Sequence, residues 1–241
     1  MAVAIMAKLR LDKYLAEMGC GTRSQVKEAI RKGRACINGE PVKSVDRKVD
    51  TTTDQVMFDK QPVSYVEMEY YMLNKPAGVV SATEDHRHKT VLDCIHQKQR
   101  SDLFPVGRLD IDTEGLLLIT NDGALCHQLL SPKKHVDKCY YVETSENIPE
   151  ETAALFCEGV DIGEQTLTLP AKLELLSPTS AYITICEGKF HQVKRMFEAV
   201  GTKVTYLKRL SMGSLVLDSS LAYGEYRTLT DSEIRALKGE V

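Results

Sequence analysis

The 241-residue sequence has no Cys-x-x-Cys pair, no low-complexity tract and no apolar run near the ~18 residues that a membrane-spanning helix needs. Its seven cysteines, Cys20, Cys36, Cys94, Cys126, Cys139, Cys157 and Cys186, are odd in number and scattered. That argues against a disulfide framework or a zinc ribbon and for reduced thiols in a cytoplasmic protein. Residues 1–7 lack the basic flank and the length of a secretion signal, so neither export nor membrane attachment is expected, and Met6 is a plausible alternative start. What is present is a globular composition, with 43% hydrophobic and 27% charged residues.

The net charge of -3 hides an asymmetry. Residues 1–50 carry 11 Lys and Arg against 6 Asp and Glu, a net of +5, while the remainder carries 20 against 28, a net of -8. A basic head before an acidic body suggests a polyanion as partner, because clustered cations gain affinity by displacing counterions from phosphates.

Leu11, Tyr14, Leu15 and Met18 stand at helical spacing before a Gly-Cys-Gly break. Thr22 and Gln25 then form a capping box for a second helix with Val26, Ala29 and Ile30 on its apolar stripe and Gly33 at its end. Arg23, Lys27 and Arg31 recur every fourth residue, with Lys32 and Arg34 following. With no acid in that row, these five are candidate phosphate contacts. Residues 35–42 read as a strand, an Asn-Gly turn and a return strand. From Lys8 to about Phe58 the segment resembles the S-four-type RNA-binding module of ribosomal proteins and RNA-modifying enzymes. The resemblance implies that the basic second helix lies on structured RNA. We set the domains at 8–60 and 68–241, with periodicity lost between Asp59 and Glu69.

The larger part alternates as strands, for example over 181–186, carries the apolar run Leu116–Ile119, and has a helix over about 191–200. Strands outnumber helices without regular βαβ alternation, so the expected class is α+β on a mixed, mainly antiparallel sheet. Several motifs fail on inspection. The Gly19-x-Gly21 pattern lacks its third glycine and a preceding strand, and the Asp110/Asp112/Glu114 run lacks the bidentate acid of a calcium loop. His86, His88 and Cys94 read as solvated loop residues rather than metal ligands. Asp110 precedes Thr113-Glu114-Gly115 and an apolar strand, which places a carboxylate at the edge of the core. His191, Lys194 and Arg195 crowd a helix N-terminus, where cations oppose the dipole and call for an anion, either a phosphate or Asp110.

The blocks LNKPAGVVSAT (73–83), GRLDIDTEGLLLITNDG (107–123), KCYYV (138–142), EGKFHQVKRMF (187–197), LKRLSMGSLVLD (207–218) and YGEYRTLT (223–230) resemble the ribosomal pseudouridine synthases, closest to the small-subunit branch. The resemblance implies an isomerase that breaks the bond between uracil and ribose, turns the base and rejoins it through carbon, without a cofactor or a metal. It places the nucleophile at Asp110, a stacking and proton-accepting ring at Tyr140, and an ion-pair partner of Asp110 at Lys194. Arg108 would hold a flipped-out nucleotide, with His191 and Arg195 as further RNA contacts. A carboxylate that attacks must stay ionised, and a cation within about 4 to 6 Å favours that. Tyr141 follows Tyr140 and should face the other side of the sheet. The expected partner is 16S rRNA in an assembling small subunit, and the protein is expected to be a monomer. The alternatives are action on 23S rRNA, a non-catalytic assembly factor that would not need Asp110, or a phosphohydrolase using Mg²⁺ at Asp110 and Asp112.

Overall fold

A computed structural model describes residues 8–240, and the possible start at Met6 lies outside them. The chain divides into two compact units, which are described separately: the described residues up to Glu69 together with Gln97–Leu103, and Tyr70–His96 with the described residues from Phe104 onward. The reading that gives 97–103 to the larger domain therefore differs from this grouping.

In the smaller unit, β1 (Lys8–Arg10) leads into α1 (Leu11–Glu17), and α2 (Arg23–Arg31) follows. Both helices bury their expected stripes, Leu11, Tyr14 and Leu15 on α1 and Val26, Ala29 and Ile30 on α2. Thr22 accepts from the Gln25 amide while the Gln25 side chain accepts from the Thr22 amide, so two otherwise unpaired donors are satisfied at the start of α2. β2 (Ala35–Ile37) and β3 (Glu40–Val42) are joined through Asn38 and Gly39, both at positive φ, as a tight hairpin requires. β4 (Lys48–Asp50) pairs with β1, and β5 (Val56–Phe58) and β6 (Gln61–Val63) complete a four-stranded sheet in the order β3-β2-β5-β6. The segment after Phe58 is thus a hairpin rather than an unstructured connection. Asp59 and Lys60 take positive φ at its tip without the glycine that would have signalled a turn, and Arg34 pairs with Asp59. Pro62 is tolerated because β6 is an edge strand.

The larger unit is built on a nine-stranded sheet. Its strands are β7 (Tyr70–Lys75), β8 (Phe104–Pro105), β9 (Glu114–Thr120), β10 (Lys138–Thr144), β11 (Lys172–Ser177), β12 (Ser180–Ile185), β13 (Val204–Met212), β14 (Leu215–Val216) and β15 (Tyr226–Thr228). The main order is β11-β12-β10-β13-β9-β7-β15, with β14 on β13 and β8 on β9. Only β9 and β13 pair in parallel; the other pairs are antiparallel. β9 lies between β13 and β7, which is why Leu116–Ile119 reads as a continuous apolar run instead of alternating. Helices α3 (Gly123–Leu130), α4 (Thr152–Glu158), α5 (Gln192–Ala199) and α6 (Asp231–Lys238) flank the sheet. α5 buries Val193, Met196 and Phe197, and the Phe197 ring meets Phe156 of α4 edge to face at 5.3 Å.

Gly115 sets the spacing at the start of β9. It has φ 96°, and a Cβ there would lie 2.2 Å from the Arg209 carbonyl oxygen, so only glycine lets β9 approach β13. Arg209 is almost fully buried and donates from Nε to the Leu116 carbonyl at 2.8 Å. No described helix is long and apolar enough to cross a membrane.

Candidate active site

The loop between β8 and β9 carries Arg108, Asp110 and Asp112, and it is held from behind by the chain that leaves β7. Ser81 brackets Leu109, donating to its carbonyl at 2.8 Å and accepting from its amide at 3.0 Å. The Gly78 amide donates to the Ile111 carbonyl at 2.7 Å, and the Thr113 amide closes a turn onto the Asp110 carbonyl at 3.1 Å. Lys75 is fully buried. Its ammonium donates to the carbonyls of Thr113 at 2.8 Å, Pro76 at 3.0 Å and Ile111 at 3.4 Å. Burial pushes the Lys75 ammonium down to about 8, against the opposing charges of Asp112, Glu114 and Asp110.

In front of the loop stands the first turn of α5. Lys194 Nζ lies 3.3 Å from Asp110 Oδ2 and 2.6 Å from Asp112 Oδ1, and His191 Nε2 lies 3.4 Å from Asp110 Oδ1. Lys194 is therefore shared by two carboxylates, and its shorter contact is to Asp112, a residue that the sequence brings forward only as a metal ligand, in the rejected calcium loop and in the phosphohydrolase alternative. Burial works against the Lys194 ammonium, but the Asp112 hydrogen bond and the Asp110 charge outweigh it and hold its pKa above the ordinary value. Burial likewise works against the Asp112 carboxylate, and the Lys194 hydrogen bond and charge more than offset it, leaving its pKa below the ordinary value. The Asp112 side chain is 66% exposed, so this pair adds little to stability and acts mainly to orient the ammonium.

Asp110, Lys194 and His191 line an open cleft together with Arg108, Tyr140, Ile185 and Leu207. The cleft encloses roughly 460 Å³ of space between atoms, part of it open solvent. Tyr140 is 7% exposed on β10, and Tyr141 faces the opposite side, where its ring meets Tyr182 and Tyr206 edge to face. Arg108 is exposed on the cleft wall. Arg195 is directed elsewhere: it pairs with Glu164 at 2.7 Å, donates to the Phe190 carbonyl at 3.1 Å and reaches the Ile162 carbonyl. The structure thus brings together Asp110, Tyr140, Lys194, Arg108 and His191, and it gives Arg195 a role in holding the loop before α5. Among the described residues no group of three or more His, Cys, Asp and Glu is arranged to hold a metal. The two carboxylates that a Mg²⁺-dependent phosphohydrolase would use have an ammonium between them.

In the smaller unit the basic row does meet an acid, supplied by the other helix. The carboxylate of Asp12 on α1 is fully buried, accepts from Arg10 at 2.9 and 3.1 Å and lies 3.8 Å from both Arg23 and Lys27. Burial raises the Asp12 pKa, and the Arg10 hydrogen bonds and the surrounding cations bring it below the ordinary value. Lys32 pairs with Glu28 at 2.6 Å and Arg34 with Asp59, while Arg31 is exposed. Asp12, Glu28 and Asp59 thus meet Arg10, Arg23, Lys27, Lys32 and Arg34, and with Arg31 the face keeps a net positive charge.

Residues 69–199 match the family model for RNA pseudouridylate synthase, and residues 9–56 match the S4 domain. The RNA pseudouridine synthase YtzG of Bacillus subtilis (strain 168) is 50% identical over 234 residues, covering 95% of this chain and 98% of the relative. The ribosomal small subunit pseudouridine synthase A of Haemophilus influenzae is 43% identical and that of Escherichia coli K12 is 42%, each over 231 residues, covering 95% of this chain and 99% and 100% of those proteins. A crystal structure of a pseudouridylate synthase superimposes with a TM-score of 0.68 at 44% identity, over 95% of this chain and 99% of that one. The chain belongs to the RNA pseudouridine synthase family. With its S4 domain, it is an RNA-modifying isomerase that converts uridine to pseudouridine.

Proposed function

We propose that the protein isomerises a specific uridine of 16S rRNA to pseudouridine in the cytoplasm, with Asp110 as nucleophile. The observation that carries the reading is the Asp110 carboxylate, set in a cleft beside Tyr140 with Lys194 and His191 at 3.3 and 3.4 Å. In the reaction the bond from ribose carbon 1′ to uracil nitrogen 1 breaks, the base turns, and a bond from carbon 1′ to carbon 5 forms. The carbon-5 proton leaves and nitrogen 1 gains one, so no electrons are exchanged with an outside partner. Asp110 supplies the attacking oxygen, and the bond it forms to the nucleotide breaks again before the product leaves, which regenerates the carboxylate. Lys194 supplies the countercharge that keeps this carboxylate ionised when RNA covers the cleft and excludes water. Tyr140 stacks on the base and stands where the carbon-5 proton is released, and Arg108 faces the phosphate of the flipped nucleotide.

The choice of 16S rRNA is supported by the names of the Haemophilus and Escherichia relatives, which match over nearly the full chain. The basic face of α2 supplies affinity for structured RNA at a place separate in sequence from the chemistry. The test is pseudouridine mapping of 16S and 23S rRNA from cells with and without this protein. A 16S position that loses pseudouridine in the deletion strain, and regains it when purified protein is added to that rRNA or to small subunits containing it, supports the proposal. Loss of a 23S position instead overturns the target, and no change in any rRNA overturns the substrate class.

A further inference from the structure

Phe190 is 70% exposed, the most exposed of the large apolar side chains among the described residues. One exposed aromatic needs no explanation by itself. This one is distinguished by its surroundings. Its ring stacks on the His191 imidazole with centroids 3.8 Å apart and planes 21° from parallel, and His191 Nε2 lies 3.4 Å from Asp110 Oδ1. Two near-parallel rings therefore step outward from the carboxylate, and the outer one presents a face to solvent.

The pair is held rigidly. His191 takes φ 48°, a left-handed conformation that a residue with a side chain keeps only when its surroundings impose it. The Lys189 amide donates to Gln192 Oε1 at 2.9 Å, and the buried Gln192 amide donates to Glu187 at 2.9 Å. Arg195 holds the Phe190 carbonyl at 3.1 Å, and the Lys189 ammonium donates to the carbonyls of Thr166 and Leu167, each at 3.0 Å. The backbone under the ring thus has little freedom left to lose when a ligand settles there.

We propose that the free face of Phe190 is a stacking site for the nucleobase adjacent to the target uridine in the RNA strand. The inference rests on the pseudouridine-synthase reading of the cleft. A uridine that leaves its stack exposes the π-face of a neighbouring base to water, and proteins hold such bases on aromatic rings. The ring reads no hydrogen-bonding edge, so either a purine or a pyrimidine satisfies it. Capture of that neighbour keeps the RNA open while the uridine reacts at Asp110.

The experiment compares wild type with Phe190→Ala, Phe190→Leu and Phe190→Trp, using small subunits isolated from cells that lack the protein. Pseudouridine formation is followed in single turnovers at limiting and saturating enzyme. Because the side chain is exposed, circular dichroism melts of all four proteins should coincide. Stacking one base on an aromatic ring corresponds to a roughly 5- to 150-fold effect, so Ala and Leu should lose that much efficiency while Trp stays near wild type. A binding transcript with 2-aminopurine beside the mapped uridine should be quenched by wild type and Trp but not by Ala or Leu. Full activity in Ala, or Leu equal to Trp, overturns the stacking site while the enzymatic reading stands. Absence of pseudouridine with wild-type protein overturns the enzymatic reading and this site with it.

Discussion

Replacing Lys75 by Met tests whether the loop carrying Asp110 is held by a buried ammonium. The side chain is fully buried and burial lowers its pKa from 10.5 to about 8, a bias against the charged form of about 3 kcal/mol at 1.36 kcal/mol per tenfold. Below pH 8 the folded and unfolded chains both carry the proton, and the penalty is constant. Between 8 and 10.5 the unfolded lysine keeps a proton that the folded one has released. Unfolding then takes up protons, and the folded state gains stability as pH rises, up to the full ~3 kcal/mol.

Lys75→Met removes this titration but also takes the donor from the carbonyls of Pro76, Ile111 and Thr113; Ile111 keeps the Gly78 amide, while the buried Thr113 acceptor left unpaired costs roughly 1 to 3 kcal/mol. At pH 7 the lost hydrogen bonds are partly offset by removal of a buried charge; at pH 10 the wild-type lysine is neutral and that offset has gone. Urea unfolding of both proteins from pH 7 to 10.5 should show the variant falling further behind as pH rises, because every other titration is common to the two and cancels in the difference. A difference that stays constant over this range would refute the picture of Lys75 as a buried, mainly charged prop. Pseudouridine formation should fall by roughly 10- to 100-fold, as misplacement of a reacting group does, with RNA affinity little changed.

Asp110→Asn should abolish product while keeping RNA affinity within a few fold, and activity above roughly 1% of wild type would count against covalent catalysis by this residue. Lys194→Met should slow the reaction strongly and Lys194→Arg should retain much of it; rate-versus-pH profiles check both, and a Met variant equal to wild type at neutral pH would leave the ion pair without a catalytic role. Charge reversal at Arg23, Lys27 and Arg31 should lower the log-log salt slope of rRNA binding by roughly 0.7 to 0.9 per lost phosphate contact without changing the saturated single-turnover rate. An unchanged slope in filter-binding titrations would mean that the row is a solvated face.

Much of the architecture was legible because it is local. The Thr22 cap, the stripe of α2, the Asn38-Gly39 turn and the alternation separating Tyr140 from Tyr141 each involve neighbours in sequence, where spacing reports geometry. The residues that prop the loop were not legible in role. Lys75 belongs to a quoted block, yet its work is done on carbonyls of residues 111 and 113, and carbonyls leave no trace in composition. Asp112 sits 82 positions from Lys194, so no spacing rule could give it the shorter ion-pair contact over Asp110. The β5–β6 hairpin escaped notice because Asp59 and Lys60 adopt a conformation usually marked by glycine or asparagine.

The two sides of the loop that carries Asp110 have different physical jobs. Behind it, neutral carbonyls and amides are fixed by Lys75, Gly78 and Ser81; these contacts set where Asp110 stands and are already formed without RNA. In front, the Lys194 ammonium and the His191 ring meet the carboxylate in a cleft still open to water, where charge acts through a high dielectric. If RNA covers the cleft as proposed, it removes that water and strengthens the front contacts, while the rear ones, made chiefly by backbone and a buried lysine, have no such water to lose. Damage behind the loop should therefore appear as lost geometry at every pH at which the protein is folded. Damage in front should appear chiefly once RNA is bound, as a slower chemical step with unaltered binding. A Lys194→Met variant that lost RNA affinity in proportion to its rate would contradict this division, because the ammonium would then be contributing to ground-state binding rather than to the reaction.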